Sequence, residues 1–213
     1  MNIDNQTEYW DKVAKEKTFT HPVSYTILNE YLTASSTLID FGCGYGRIIK
    51  ELTEAGFTNA TGYDTSKELI KRGKQQENLP LVHIKNPLDL PVPNNSVDCI
   101  LLFAVLTCIP SNGGQKELIN LLFSKLKPKG ILYISDYYLQ NNALEVERYQ
   151  YFNNDKNNFG VFSLKEGVTF RHHTKEWILE LTKDFKILLE NPIEITTMNG
   201  HFAQAFQLVV QKQ

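Results

Sequence analysis

At 213 residues the chain is long enough for one domain with a sizeable core, and its apolar fraction of 42% is ordinary for a globular protein. A net charge of −2 gives no electrostatic case for nucleic acid or an anionic membrane, and no apolar run reaches the roughly 18 residues of a membrane span. The opening residues, Met1 to Gln6, are polar and acidic, unlike a secretory signal. Cys43, Cys99 and Cys108 are odd in number and lack metal-ligand spacing, so they read as reduced thiols and a cytoplasmic setting is expected.

Residues 7–33 read as helix in two pieces, broken near His21-Pro22, and residues 1–33 are expected to form an N-terminal helical cap. Leu38–Phe41 is a first strand, followed by three alternating glycines and a helix over Arg47–Ala55 that stops at Gly56. A second strand over Asn59–Tyr63 ends at Asp64, and Thr65 with Glu68 has the spacing of a capping box for the next helix. Pro80–Ile84 is a third strand, and Val97–Phe103 is nearly all apolar, as a strand buried on both faces should be. An amphipathic helix over Gln115–Leu126, a turn at Lys127–Gly130 and a fifth strand over Ile131–Ser135 follow. The polar and aromatic stretch 139–173 interrupts this alternation, and a segment that long is expected to be a lid or binding loop. Beyond it come a helix near Lys175–Thr182 and strands near Phe185–Glu190 and Ala203–Val210, with no clear helix between them.

Alternating strands and helices imply a doubly wound α/β fold within residues 1–213, with helices on both faces of a mostly parallel sheet and a terminal hairpin. Such sheets bind ligands at the carboxyl ends of their strands. Gly42-Cys43-Gly44-Tyr45-Gly46 would bring bare backbone against a ligand there, since glycine has no Cβ to block close approach. Asp64, about twenty residues on, could accept two ribose hydroxyls. Taken alone, the turn suits a methyl donor or a nicotinamide dinucleotide. The dinucleotide site wants a third glycine three positions beyond Gly44, where Arg47 stands.

Leu38 to Arg47 resembles the first motif of class I S-adenosylmethionine-dependent methyltransferases nearly residue for residue. Gly62 to Ser66, Asn86 to Asp98 and Leu126 to Leu132 resemble three later motifs in the same order, so the resemblance spans about residues 36–138. It implies a Rossmann-like sheet of seven strands with an antiparallel C-terminal strand, S-adenosylmethionine as cofactor and S-adenosylhomocysteine as product. Asp40, Gly42, Cys43, Gly44 and Gly46 would then line the amino-acid part of the cofactor, Asp64 and Thr65 the ribose, and Asn86, Pro87 and Leu88 the adenine. Phe103 would border its other side. Many relatives carry an acidic residue where Asn86 stands; its amide oxygen can still accept from the adenine amine.

The acceptor is less legible. Phe103-Ala104-Val105-Leu106 stands where methylases of nucleic-acid amines and of glutamine carry an Asn/Asp-Pro-Pro-Tyr/Phe motif, so a small molecule is expected, with no nucleic acid or membrane partner. Tyr9, Trp10 and Tyr25 in the N-terminal segment, Tyr137 past the fifth strand, and Tyr149 and Phe152 in the insert are pocket candidates. Phe19 belongs to the first group. The N-terminal rings could equally pack on the core, and the insert rings could instead form a small cluster within their own loop. His21, Tyr138 and His172 are candidates for a proton-accepting group, and an ordinary structural histidine is the alternative. The His172-His173 pair has adjacent side chains that diverge and no evident third ligand, so no metal is expected. Methyl transfer to an O, N or S atom is one reading; a non-catalytic cofactor-binding or partner-binding module with the same fold is the other. A monomer or homodimer is expected.

Overall fold

The computed structural model describes residues 4–150 and 159–213. Its strands are β1 (Leu38–Phe41), β2 (Ala60–Asp64), β3 (Leu81–His83), β4 (Val97–Phe103), β5 (Leu126–Tyr137), β6 (Val161–Ser163), β7 (Thr169–Arg171), β8 (Phe185–Thr196) and β9 (Phe202–Lys212). Its helices are α1 (Thr7–Val13), α2 (Tyr25–Tyr31), α3 (Arg47–Glu54), α4 (Lys67–Glu77), α5 (Asn112–Lys125), α6 (Ala143–Gln150) and α7 (Lys175–Leu181).

Seven strands make one sheet in the order β3-β2-β1-β4-β5-β9-β8. Neighbours from β3 through β5 pair in parallel, while β9 runs antiparallel between β5 and β8. Alternate residues of the central strands feed two cores. Ile39, Ile100, Leu102 and Leu132 pack under α5 and α7, while Leu38, Leu101, Phe103 and Tyr133 pack under α2, α3 and α4. Each fully buried aliphatic contributes about 1.5–3 kcal/mol relative to exposure. The order of connection reverses between β1 and β4, so a crevice opens beyond the carboxyl ends of these two strands.

The long insert is more structured than a lid loop would require. It holds α6 and the β6–β7 hairpin, and Tyr149, Phe162, Val168 and Phe170 form a buried cluster of their own. Tyr9 and Trp10 of α1 join that cluster, so the N-terminal segment and the insert pack as one unit. Gln6 closes the contact: its Nε2 donates to the Cys108 and Thr169 carbonyls at 2.8 and 2.6 Å.

The expected capping box at Thr65 and Glu68 is not formed. Asp64 Oδ1 takes the Ser66 amide at 2.7 Å, which makes Ser66 the N-cap; its hydroxyl accepts from Leu69 N at 3.2 Å. The Glu68 amide goes to Asp11 of α1 at 3.0 Å, a partner 57 residues away. Strand β5 also runs further than expected, from Leu126 to Tyr137, with an irregularity opposite Val97 and Cys99.

Candidate active site

Beyond β1 the chain turns back on itself through Gly42–Gly46 before α3 begins. Gly42 N and Cys43 N donate to the Tyr63 carbonyl at 2.8 and 3.1 Å, and Gly44 N donates to Asp64 Oδ2 at 2.8 Å. The carboxylate at the end of β2 therefore holds the glycine turn with one oxygen and the start of α4 with the other. A Cβ on Gly44, at φ 56°, would lie 2.1 Å from the Phe19 ring, which covers the turn and stacks on Tyr45 at 5.3 Å. Gly42 and Cys43 face the crevice; Gly44 and Gly46, expected along it, shape the turn from behind against Phe19 and Leu81.

The crevice opens into a cavity of about 1180 Å³. That exceeds the roughly 300–1,000 Å³ of pockets for one drug-sized ligand and leaves room for two molecules. At one end stand Asp40, Asp64, Thr65, Phe103 and the segment Asn86-Pro87-Leu88. Asp40 is fully buried, and its Oδ2 has no hydrogen-bond partner among the described residues. Burial pushes its carboxyl up to about 7, with Asp64 and Glu51 adding and Arg47 opposing. Burial also raises the Asp64 carboxyl, against the two amides that favour its charge. Asn86 Oδ1 accepts from Leu88 N at 3.0 Å, which bends the segment and leaves Leu88 40% exposed beside it.

This donor set fits S-adenosylmethionine. A buried carboxylate oxygen without a partner suits an ammonium, an ionised Asp64 keeps lone pairs for hydroxyls, and an exposed leucine beside an amide suits a flat purine. Arg47, where a dinucleotide turn would carry glycine, pairs with Glu51 at 2.7 Å and holds the His21 carbonyl.

The other end of the cavity is aromatic. Trp10, Tyr137, Phe162 and Phe170 line it with His21 and His172, and Phe19 stands between the two ends over the glycine turn. His21 Nδ1 lies 3.0 Å from Ser135 Oγ, and its buried Nε2 has no partner among the described residues. The His172 Nδ1 lies 2.6 Å from the Tyr149 hydroxyl. The two imidazoles flank Tyr137: His21 meets it edge-on at 4.7 Å and His172 stacks on it at 5.2 Å. Burial lowers both to about 3, helped by Arg47 at His21 and Arg148 at His172, so both rings are neutral at physiological pH. His173 points away, 2.9 Å from Gln115 Nε2 and 3.7 Å from Asp136. Among the described residues no group of three His, Cys, Asp or Glu side chains could hold a metal ion.

Four tyrosines expected at the site sit elsewhere. Tyr138 donates to Glu190 at 3.2 Å and packs on Phe206, because successive residues of β5 alternate faces and Tyr137 takes the cavity side. Tyr25 reaches Glu51 at 3.4 Å between α2 and α3. Tyr9 packs edge-on against Trp10, behind the wall. Tyr149 also stands behind the wall, accepting the Gln140 amide at 3.0 Å. Phe152 lies outside the described residues.

Several residues at the cavity were not anticipated. Ser135 does not line the cavity but stands behind it and holds His21; it shares a face of β5 with Tyr133 and Tyr137, so continuing the strand's two-residue period would have found it. Glu145 and Arg148 of α6 line the cavity as an ion pair at 2.7 Å, and residues 197–203 at the β8–β9 turn line its mouth. Ala104, just past β4, sits at φ 53°, which an L-residue adopts at a cost of roughly 1–2 kcal/mol. Nothing in its local sequence announces that conformation.

Residues 16–176 match the methyltransferase domain family. The chain is 33% identical over 147 residues to ribosomal protein L11 methyltransferase of Shewanella woodyi, an alignment covering 65% of this chain and 48% of that protein. It is 32% identical over 120 residues to trans-aconitate 2-methyltransferase of Paracidovorax citrulli, covering 54% of this chain and 44% of that one. The chain thus spans about half the length of the curated relatives it matches. A solved SAM-dependent methyltransferase from Methanosarcina mazei superimposes with a TM-score of 0.81 at 25% identity, over 90% of this chain and 99% of that one.

Proposed function

The chain belongs to the S-adenosylmethionine-dependent methyltransferases, and from that premise we propose that it moves the donor's methyl group to an O, N or S atom of a small molecule. The observation that carries this reading is one continuous cavity with the partnerless Asp40 oxygen at its polar end and two neutral imidazoles at its aromatic end. When bound, S-adenosylmethionine would supply an electrophilic sulfonium methyl, which the acceptor attacks in line, displacing the sulfur as S-adenosylhomocysteine.

The protein then has to bind, align and keep water out. Asp40 receives the donor's ammonium, Asp64 its ribose with Thr65 alongside, and Asn86-Pro87-Leu88 its adenine. Cys43 and Gly42 offer close backbone approach, and Phe103 borders the far side. Trp10, Phe19 and Tyr137 form the dry wall that holds the acceptor against the methyl. Alignment of this kind contributes up to about 7–11 kcal/mol in ideal cases. With its proton on Nδ1, toward Ser135 Oγ, His21 Nε2 accepts a hydrogen bond from the acceptor's O–H or N–H; held near 3, it orients that group and does not store its proton, which leaves to solvent.

Enclosure supports a small acceptor. The N-terminal segment is tied down over the cavity by Gln6 on Thr169 at 2.6 Å and by Lys17 on Asn199 at 2.8 Å, and the insert covers the same end. The name of the trans-aconitate relative points the same way, whereas that of the ribosomal protein L11 relatives keeps a protein acceptor as a second reading. Three unpaired cysteines support a reducing, cytoplasmic setting. No helix among the described residues is long and apolar enough to cross a membrane.

Calorimetry with S-adenosylmethionine and S-adenosylhomocysteine, followed by a turnover screen for released S-adenosylhomocysteine, tests the proposal. The expected result is saturable binding of both and turnover with one class among small acids, phenols, amines and thiols. No binding overturns the reading. Turnover with purified ribosomal protein L11 alone moves the acceptor to a protein, and binding without any turnover favours the non-catalytic module.

A further inference from the structure

We infer that Tyr149 holds His172 in the tautomer that carries its proton on Nε2, making His172 a hydrogen-bond donor to a carbonyl or carboxylate oxygen of the acceptor molecule. The inference rests on the reading of this cavity as a methyl-acceptor site and names the acceptor's chemistry.

The assignment follows from counting protons. The Tyr149 hydroxyl is buried, and among the described residues it makes two hydrogen bonds: one with Gln140 N at 3.0 Å and one with His172 Nδ1 at 2.6 Å. An amide N–H can only donate, so the hydroxyl oxygen accepts from Gln140. Its single proton is then left for His172 Nδ1, which must accept. Were Nδ1 the donor, the oxygen would accept twice and its own proton would be buried without an acceptor, an arrangement native structures avoid. A neutral imidazole has one N–H, and burial keeps His172 neutral, so the N–H is on Nε2.

The ring cannot easily turn to hide that group. It lies between Tyr137, stacked at 5.2 Å, and Phe162, edge-on at 4.8 Å, and its backbone amide is fixed to the Gly160 carbonyl at 3.0 Å. His172 lines the cavity, and with Nδ1 engaged Nε2 is the ring nitrogen left for a ligand. Arg148 on α6 lines the same end, its charge paired with Glu145 at 2.7 Å, so the His172 N–H is the donor the inference rests on. The two histidines are then complementary. His21 offers an unpartnered nitrogen and His172 an N–H, one on each side of Tyr137. The fitting acceptor presents its nucleophile together with a neighbouring carbonyl or carboxylate oxygen. An amine or thiol lacking such an oxygen would leave a buried N–H unpaired and bind more weakly for that reason.

Tyr149 is thus a positioning residue, and the test reads the tautomer directly. Nitrogen-15 NMR of histidine-labelled full chain with S-adenosylhomocysteine is expected to show His172 as the Nε2–H form, assigned by loss of the signal in His172→Gln. In Tyr149→Phe that single form should give way to a mixture; this variant also supplies the assignment if His172→Gln folds poorly. Benzoate, titrated as an oxygen-bearing probe, should shift the His172 nitrogens saturably in the wild type. An Nδ1–H tautomer, or His172 nitrogens that ignore benzoate, overturns the inference. Failure of S-adenosylhomocysteine to bind overturns the broader reading of the cavity, while the tautomer measurement on the unliganded chain still decides this one.

Discussion

The two ends of the cavity are built in different ways. The proposed donor end comes from residues 38–103, each contributed by the carboxyl end of a parallel strand, and its key contact joins Gly44 to Asp64 only 20 positions apart. The proposed acceptor end is assembled from three remote pieces: the N-terminal segment, the end of β5 and the insert. Its ties span far more chain, 163 residues for Gln6 to Thr169 and 182 for Lys17 to Asn199. The carboxyl ends of neighbouring parallel strands fix the first end by backbone geometry, whereas side-chain packing between distant segments fixes the second. The comparison predicts that the ends can be damaged separately.

Asp64→Ala should have the largest effect. It removes the carboxylate proposed to hold the ribose and leaves the Gly44 and Ser66 amides without their acceptor. Hydrogen bonds to a charged group are worth about 1.5–3 kcal/mol each, so calorimetry should show S-adenosylhomocysteine binding weakened at least about tenfold. An affinity within about twofold of wild type would remove Asp64 from the donor end.

Asp40 gives the donor end a pH signature. Its carboxyl, raised to about 7 by burial, is largely protonated in the empty protein below that pH. The sign for stability follows: a raised carboxyl stabilises the empty fold at low pH, and that contribution is lost as pH rises through about 7. For binding the sign reverses, because an ammonium needs the ionised form. Donor affinity should fall by up to about tenfold per pH unit below 7, the limit for one linked proton. Asp40→Asn should bind more weakly and lose that slope. Asp136 is raised to about 7 as well, but it is bound to the Thr107 and Tyr137 amides, so the Asn variant isolates Asp40.

The same contrast explains what the sequence made legible. Leu38–Phe41, Val97–Phe103 and the Gly42–Asp64 pairing follow from local pattern, since an apolar strand, a glycine turn and a strand-ending carboxylate need no distant partner. Arg47 separated the two cofactor classes by occupying one position. The capping box at Thr65 failed because Asp11, far away in the chain, supplies the acceptor for the Glu68 amide. Tyr138 was misplaced through the uncertain phase of β5, where a shift of one residue exchanges cavity for core. Tyr9, Tyr25 and Tyr149 are aromatic in the same way as Trp10 and Tyr137, and only tertiary packing decides which rings face the cavity. Ser135 could have been found from strand period; Glu145, Arg148 and Ala104 could not.

Gly160→Ala should injure the acceptor end alone. Gly160 sits at φ 87°, and a Cβ there would lie 2.1 Å from the His172 carbonyl, a backbone atom with little room to yield. Thermal denaturation should show a midpoint lowered by several degrees, as expected for a loss of about 1–2 kcal/mol. Binding of S-adenosylhomocysteine at a temperature where the variant is folded should stay within about twofold of wild type. A matching loss of cofactor affinity would show that the ends are coupled and that the insert supports the donor too.

The smallest effect should come from Phe202, which is 86% exposed at the start of β9 yet lines the cavity mouth. An exposed ring adds little to the fold, so Phe202→Ser should change stability by no more than about 0.5 kcal/mol in chemical denaturation. It lies on the hairpin whose tip Lys17 holds, on the acceptor side of the mouth. Cofactor affinity should therefore be untouched, while benzoate should bind more weakly to the complex with S-adenosylhomocysteine. If the cofactor is lost instead, the β8–β9 turn belongs to the donor end, and the boundary between a strand-built half and a packing-built half would have to be drawn on the other side of that hairpin.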